Sequence, residues 1–133
     1  MKKISSTFNV PISESVATSF SFAGHKRDGY SFNTILEQEL DDANDFSFRN
    51  DWYFQLSDTS SLRIFGQYYD LDRIGSAMKG IDDTTVNPRE LAQDAPSEQT
   101  LTSSVYAAIY ENELDFADLK ILASTQRDDI SVR

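Results

Sequence analysis

The chain has 133 residues, 39% hydrophobic and 12% aromatic, with 12 basic against 22 acidic side chains, a formal net charge of −10 and no cysteine. That length suits one small domain, and the Phe and Tyr content is too high for a disordered chain. The acidic balance excludes a phosphate-driven nucleic-acid partner. The missing thiols exclude disulfides and thiolate chemistry, and fit either the cytosol or a Gram-negative outer membrane.

No run of about 18 apolar residues is present, which excludes a transmembrane helix but not a barrel of strands. Met1-Lys2-Lys3-Ile4-Ser5-Ser6-Thr7 has the positive start of a secretory signal without the apolar stretch that should follow, so Met1 reads as an internal start in a longer gene.

In chain order, alternation with period two marks six strands, each placing one residue set on either face. The first alternates Ile4, Ser6, Phe8, Val10 over Ser5, Thr7, Asn9. The second sets Val16, Thr18, Phe20, Phe22 against Ala17, Ser19, Ser21, Ala23. The third sets Phe46, Phe48, Trp52, Phe54, Leu56 against Ser47, Arg49, Asp51, Tyr53, Gln55, with Asn50 the polar exception on the apolar face. The fourth opposes Leu62, Ile64, Gly66, Tyr68 to Arg63, Phe65, Gln67. In the fifth, Leu101, Val105, Ala107 and Ile109 form the apolar set against Thr102, Ser104, Tyr106, Tyr110. The sixth opposes Ala117, Leu119, Ile121, Ala123 to Asp118, Lys120, Leu122, Ser124.

The connections alternate in length. Pro11 to Glu14, Ser57 to Ser60 and Asn112 to Asp115 are short and rich in turn-forming Pro, Ser, Asp and Asn. Asp28 to Asp45 and Asp70 to Thr100 are long links, read as loops without strands, with one helical turn over Thr34 to Leu40. Links of that length are uncommon in compact domains, but transmembrane barrels have short turns on one side and long loops on the other. The fold expected is therefore all-β, an antiparallel up-and-down meander of about six strands forming a segment of a transmembrane β-barrel. Tyr30, Phe46, Tyr68, Tyr69 and Tyr110 would supply interfacial girdles.

Phe8-Asn9-Val10-Pro11-Ile12-Ser13, a strand, and then Lys26-Arg27-Asp28-Gly29-Tyr30 resemble the early barrel of TonB-dependent receptors, where an "N-x-P-L-S/D" turn leads into a strand ending in "R-D-G-Y". Asp42-Ala43-Asn44-Asp45 before Phe46-Ser47-Phe48-Arg49, and Leu56-Ser57-Asp58-Thr59-Ser60-Ser61-Leu62, resemble the next hairpin with its "P-S-D" turn, Leu56 standing where the family often has Pro. Leu122-Ala123-Ser124-Thr125-Gln126-Arg127-Asp128 is similar to a strand ending in "S-Y-R-D". The resemblance spans nearly all of residues 1–133 and implies one partial barrel domain. It also implies a Gram-negative outer-membrane location, lipid around the barrel, and import of a scarce small molecule such as a ferric siderophore. Energy would come from the TonB complex through a plug domain outside this stretch.

Candidate ligand contacts are His25, Lys26 and Arg27 near the outer rim and Arg49 and Arg63 on the lumen-facing set. The plainer reading of Lys26 and Arg27 is flanking charge at an interface. That of Arg49, Asp51 and Arg63 is mutual pairing across the sheet. Within the acidic group Glu37, Glu39, Asp41, Asp42 and Asp45, the set Asp41, Asp42, Asp45 is a candidate for Ca²⁺, although the spacing lacks the Gly and terminal Glu of a calcium loop. Asp70, Asp72, Asp82 and Asp83 form a second such group.

No catalytic motif or cofactor signature is present, and the lone His25 is the only residue on which a histidine-based centre would rest. The rival reading is a small soluble or adhesive β-protein, a sandwich or lipocalin-like barrel, whose apolar faces make an interior core.

Overall fold

A computed structural model describes residues 1–133. Nine strands occur and no helix: β1 Lys2–Ser13, β2 Val16–Arg27, β3 Ser31–Asn33, β4 Gln38–Leu40, β5 Ala43–Gln55, β6 Ser60–Ile74, β7 Glu90–Leu91, β8 Glu98–Leu114 and β9 Ala117–Val132. Six of them pair in the order β1-β2-β5-β6-β8-β9, every neighbour antiparallel. The result is an open meander whose turns at Glu14–Ser15, Leu56–Thr59 and Asp115–Phe116 all lie at one end. A β-bulge interrupts the first hairpin between Pro11 and Ser13, where proline withholds its ladder donor.

The two long links are shorter than expected and are not free of strands. β6 continues to Ile74, β8 begins at Glu98, and the links contain a second sheet of order β4-β3-β7. β3 pairs antiparallel with β4 and parallel with β7, joining segments almost sixty residues apart. Strands of two or three residues are too short to show a period, so sequence patterning passes over them.

The expected helical turn at Thr34 to Leu40 is absent. Thr34 to Glu37 is a tight turn and Gln38–Leu40 is a strand. Asn33 explains the difference: its Oδ1 accepts the N–H groups of Ile35 at 3.1 Å and Leu36 at 3.4 Å, an Asx turn that competes with helix, and Glu37 closes the hairpin at φ 53°. A single turn of helix also lacks the length to offset its nucleation cost.

Only 7 of the 133 residues are buried, and Leu40 and Leu91, two of the three apolar ones, belong to the small sheet. The accessible surface is 9438 Å², against about 7,000 Å² for a compact monomer of this mass. The large sheet is thus one layer with no second layer against it, so neither face is covered as the core of a sandwich would be.

Candidate functional site

Cross-strand partners share a face, so the register defines each face across all six strands. One face carries Ile4, Phe8, Phe22, Phe46, Phe48, Trp52, Phe54, Leu62, Ile64 and Tyr68. On β8 the residues joining it are Tyr106, Ala108 and Tyr110, because Gly66 pairs with Tyr106 and Ile64 with Ala108. This corrects the expected assignment: Leu101, Val105, Ala107 and Ile109 lie on the opposite face with Arg63, Phe65 and Gln67. β8 is apolar on both faces, so its own alternation cannot choose, and its hairpin partners decide. β9 adds Leu119, Ile121 and Ala123 to the first face, as expected.

This apolar set forms a slanted stripe. On β1 it begins at Ile4, whose row runs through Gly24 and Phe46 to Asp70, Thr102 and Asp129, already polar on the last three strands. The stripe begins one row further on at Tyr68 of β6, two rows on at Tyr106 of β8 and three rows on at Ala123 of β9. Its other margin moves the same way, from Val10 before the bulge to Leu114 and Ala117 three rows beyond. Three rows of about 6.8 Å against five strand spacings of about 4.8 Å give strands tilted by about 40° from the normal of the stripe. From Phe46 on β5 to Leu56, the first residue of the turn that follows, the stripe extends about 34 Å along the chain and so about 26 Å in height.

The polar groups at the centre of the stripe, Asn50, Trp52 Nε1 and Thr18, are satisfied internally. Asn50 accepts a hydrogen bond from Trp52 Nε1 at 2.6 Å, and its Nδ2 donates to Thr18 Oγ1 and the Ser19 carbonyl, each at 3.1 Å. Thr18, 5% exposed, donates in turn to the Asp51 carbonyl. At Gly66, an added Cβ would sit 3.2 Å from the Tyr106 ring, which therefore lies close over the glycine.

On the opposite face Asp51 is 9% exposed and accepts from Arg63 Nε at 2.7 Å and Nη2 at 2.6 Å, and from Arg49 Nη2 at 3.0 Å. The Arg49 guanidinium also stacks 4.1 Å from the centre of the Phe65 ring. Arg49 and Arg63 are thus held by one carboxylate, in the pairing considered from sequence. Glu111 and Lys120, direct cross-strand partners at 2.6 Å, add a second ion pair toward the short-turn end.

The remaining candidates lie at the long-loop end. His25 Nδ1 meets Asp45 Oδ2 at 3.2 Å across the β2–β5 pair. Arg27 Nη2 donates to the Asp41 carbonyl at 2.8 Å, and Arg27 and Arg89 both approach the Tyr30 ring, at 5.0 and 5.4 Å. Tyr30 therefore serves the loop assembly. Lys26 is exposed and in no ion pair.

Asp41, Asp42 and Asp45 do not converge on a common point, which counts against the calcium candidate. Asp41 accepts from Ser31 Oγ and the Ala77 N–H, Asp42 from the Ile74 N–H, and Asp45 faces His25. No group of three or more acidic or histidine side chains is gathered as a metal site requires. Instead Asp41 and Asp42 tie the first link to the end of β6.

Two residues organise this end: Asn33, which the sequence pattern does not single out, and Asp83, which it places only in an acidic group. Asn33, 1% exposed, accepts from the Gln93 N–H at 3.3 Å and donates to the Gln93 carbonyl at 2.8 Å. Asp83 accepts from Thr85 Oγ1, the Ala92 N–H and the Thr85 N–H, which together hold its carboxyl down to about 2. The one sequence signal for both is an Asx residue beside a Thr at a turn, which many loops share.

The chain matches no protein-family model, no curated protein and no solved structure. Fold and surface define its class: an open, single-layer antiparallel β-meander with one slanted apolar face and one polar, ion-paired face.

Proposed function

We propose that this chain is a stretch of the wall of a bacterial outer-membrane β-barrel, of the TonB-dependent receptor kind, which imports a scarce small molecule such as a ferric siderophore. The observation that carries the barrel reading is the slanted stripe. A bilayer-spanning barrel needs an outward apolar band about 25 Å tall on strands tilted by about 35 to 45°, and the register yields a stripe of about that height and tilt. A soluble sandwich has no reason to shift its apolar residues by three rows across six strands, all in one direction.

Three further features support it. The amide of Asn50, the indole N–H of Trp52 and the hydroxyl of Thr18, at the centre of the stripe, are satisfied within the sheet, as a lipid-facing surface demands. The other face carries paired charges suited to a wet or plugged interior. Short turns at one end and structured long loops at the other match barrel topology. The receptor type and its cargo rest on the motif order described above. In that reading Arg49 and Arg63 shape the lumen wall through Asp51, and the paired loops form part of the outer mouth.

Trp52, the single tryptophan, lies in the stripe and supplies the test. With the full chain folded into vesicles, bromine on the lipid acyl chains should quench Trp52 fluorescence strongly and aqueous iodide should not. A soluble, monodisperse monomer that unfolds cooperatively, with Trp52 quenched only from water, would overturn the proposal.

A further inference from the structure

We propose that Lys2 and Lys26 form a binding point for the phosphate of an anionic membrane lipid, at the long-loop margin of the apolar stripe. This inference rests on the membrane reading and deepens it. Lys2 and Lys26 are direct cross-strand partners, one row beyond Ile4 and Gly24 on the same face. Two like charges so placed, with Cβ atoms about 5 Å apart, destabilise the sheet unless an anion lies between them.

The protein has 22 acidic side chains, yet neither lysine is in an ion pair, and the residue paired with Lys26 on β5 is the neutral Asn44. Elsewhere along this margin the charges are acidic or already engaged. Asp70 accepts from Tyr68 and Thr102, and Arg127 lies 3.5 Å from Asp129. The two lysines are therefore the cations left free where the stripe ends, and both are exposed. A lysine at such a margin can lay its aliphatic stem along apolar surface and carry its ammonium group outward, toward the level at which lipid phosphates would stand. Charge complementarity and continuity with the lipid-facing stripe together select a lipid headgroup over a soluble anion.

Lys3 provides an internal control. It is adjacent in sequence but on the other face, opposite His25. The full chain is folded in mixed micelles of phosphatidylcholine and phosphatidylglycerol, and retained lipid is counted by native mass spectrometry. At about 1 kcal/mol per basic residue near anionic lipid, K2Q/K26Q should lower the preference for phosphatidylglycerol by about 30-fold. K3Q and K2R/K26R should keep it, and far-UV circular dichroism confirms that each variant is folded; if the double variant is not, K26Q alone should lose about fivefold.

Equal loss in K3Q and K26Q, no preference in the parent chain, or displacement by inorganic phosphate as effective as by phosphatidylglycerol would each overturn the proposal. If Trp52 is quenched from the acyl chains while the lipid preference is absent, this inference alone fails. If Trp52 is not quenched from lipid, the membrane reading fails and takes the inference with it.

Discussion

Asp51 is the side chain whose removal should cost the large sheet most on its polar face. Asp51→Ala leaves Arg63 without its bidentate partner and Arg49 without its carboxylate, two guanidiniums facing one vacated position. Breaking a buried ion pair by removing one partner costs about 3 to 5 kcal/mol. Here the arginine side chains are 36% and 49% exposed, so water compensates much of that loss. Discounting for this screening leaves about 2 kcal/mol.

The assay is urea unfolding of the full chain in detergent micelles, followed by Trp52 fluorescence, for Asp51→Ala, Arg63→Ala and the double variant. Arg63→Ala should cost less, because Asp51 keeps Arg49. The double-mutant cycle should return a coupling of about 1 to 2 kcal/mol for Asp51 with Arg63, above the 0.2 to 1 kcal/mol usual for exposed pairs. A coupling below about 0.3 kcal/mol, or a stabilised Asp51→Ala, would show that the bidentate geometry contributes nothing and refute the reasoning.

Three other outcomes are expected. Asn50→Leu leaves the Trp52 Nε1 donor unpaired inside the stripe, so it should destabilise by about 1 to 2 kcal/mol and shift Trp52 emission, whereas Asn50→Gln should restore part of both. Gly29→Ala places a Cβ 2.6 Å from the Leu40 carbonyl and 2.7 Å from Glu39 Cβ, forcing the β3–β4 hairpin apart; limited proteolysis in the first link should rise about tenfold while Trp52 fluorescence stays unchanged. Asp83 has a carboxyl pKa lowered from 3.8 to about 2, so the order it confers is fully present above pH 3.8 and is lost as pH falls toward 2. Amide protection at Thr85 and Ala92, measured relative to the intrinsic exchange rate at each pH, should fall through that window, and Asp83→Asn should flatten the dependence.

Much of the architecture was legible in the residues themselves. Alternation over Val16 to Ala23 and Phe46 to Leu56 identifies strands because a pleated backbone sends successive side chains to opposite faces. Ser57 marks a tight turn through its local hydrogen bonds with Thr59 and Ser60, whereas Pro11 and Asn112 lie within β1 and β8 and the turns beside them close later, at Glu14–Ser15 and Asp115–Phe116. The grouping of Arg49, Asp51 and Arg63 on the polar face also follows from spacing alone, since a two-residue step and one hairpin bring them to the same face.

The small sheet of β3, β4 and β7, and the Asx turn that replaced the helical turn at Thr34, were out of reach for a different reason. Both depend on Asn33 and on partners almost sixty residues away in the chain. The separation of Asp41, Asp42 and Asp45 likewise follows from backbone donors at Ile74 and Ala77 that only the folded links supply.

By itself, then, the sequence determined the strands of the large sheet, the rhythm of short and long connections and the two-faced character of most strands, because each of these is encoded within a few consecutive residues. The pairing register belongs to the tertiary structure. It assigned Tyr106, Ala108 and Tyr110 of the doubly apolar β8 to the stripe and set the three-row slant that develops over β6, β8 and β9. It also brought Lys2 opposite Lys26. Register is a relation between segments, and a single-residue slip exchanges the two faces of a strand, so no stretch of chain specifies it without its neighbours.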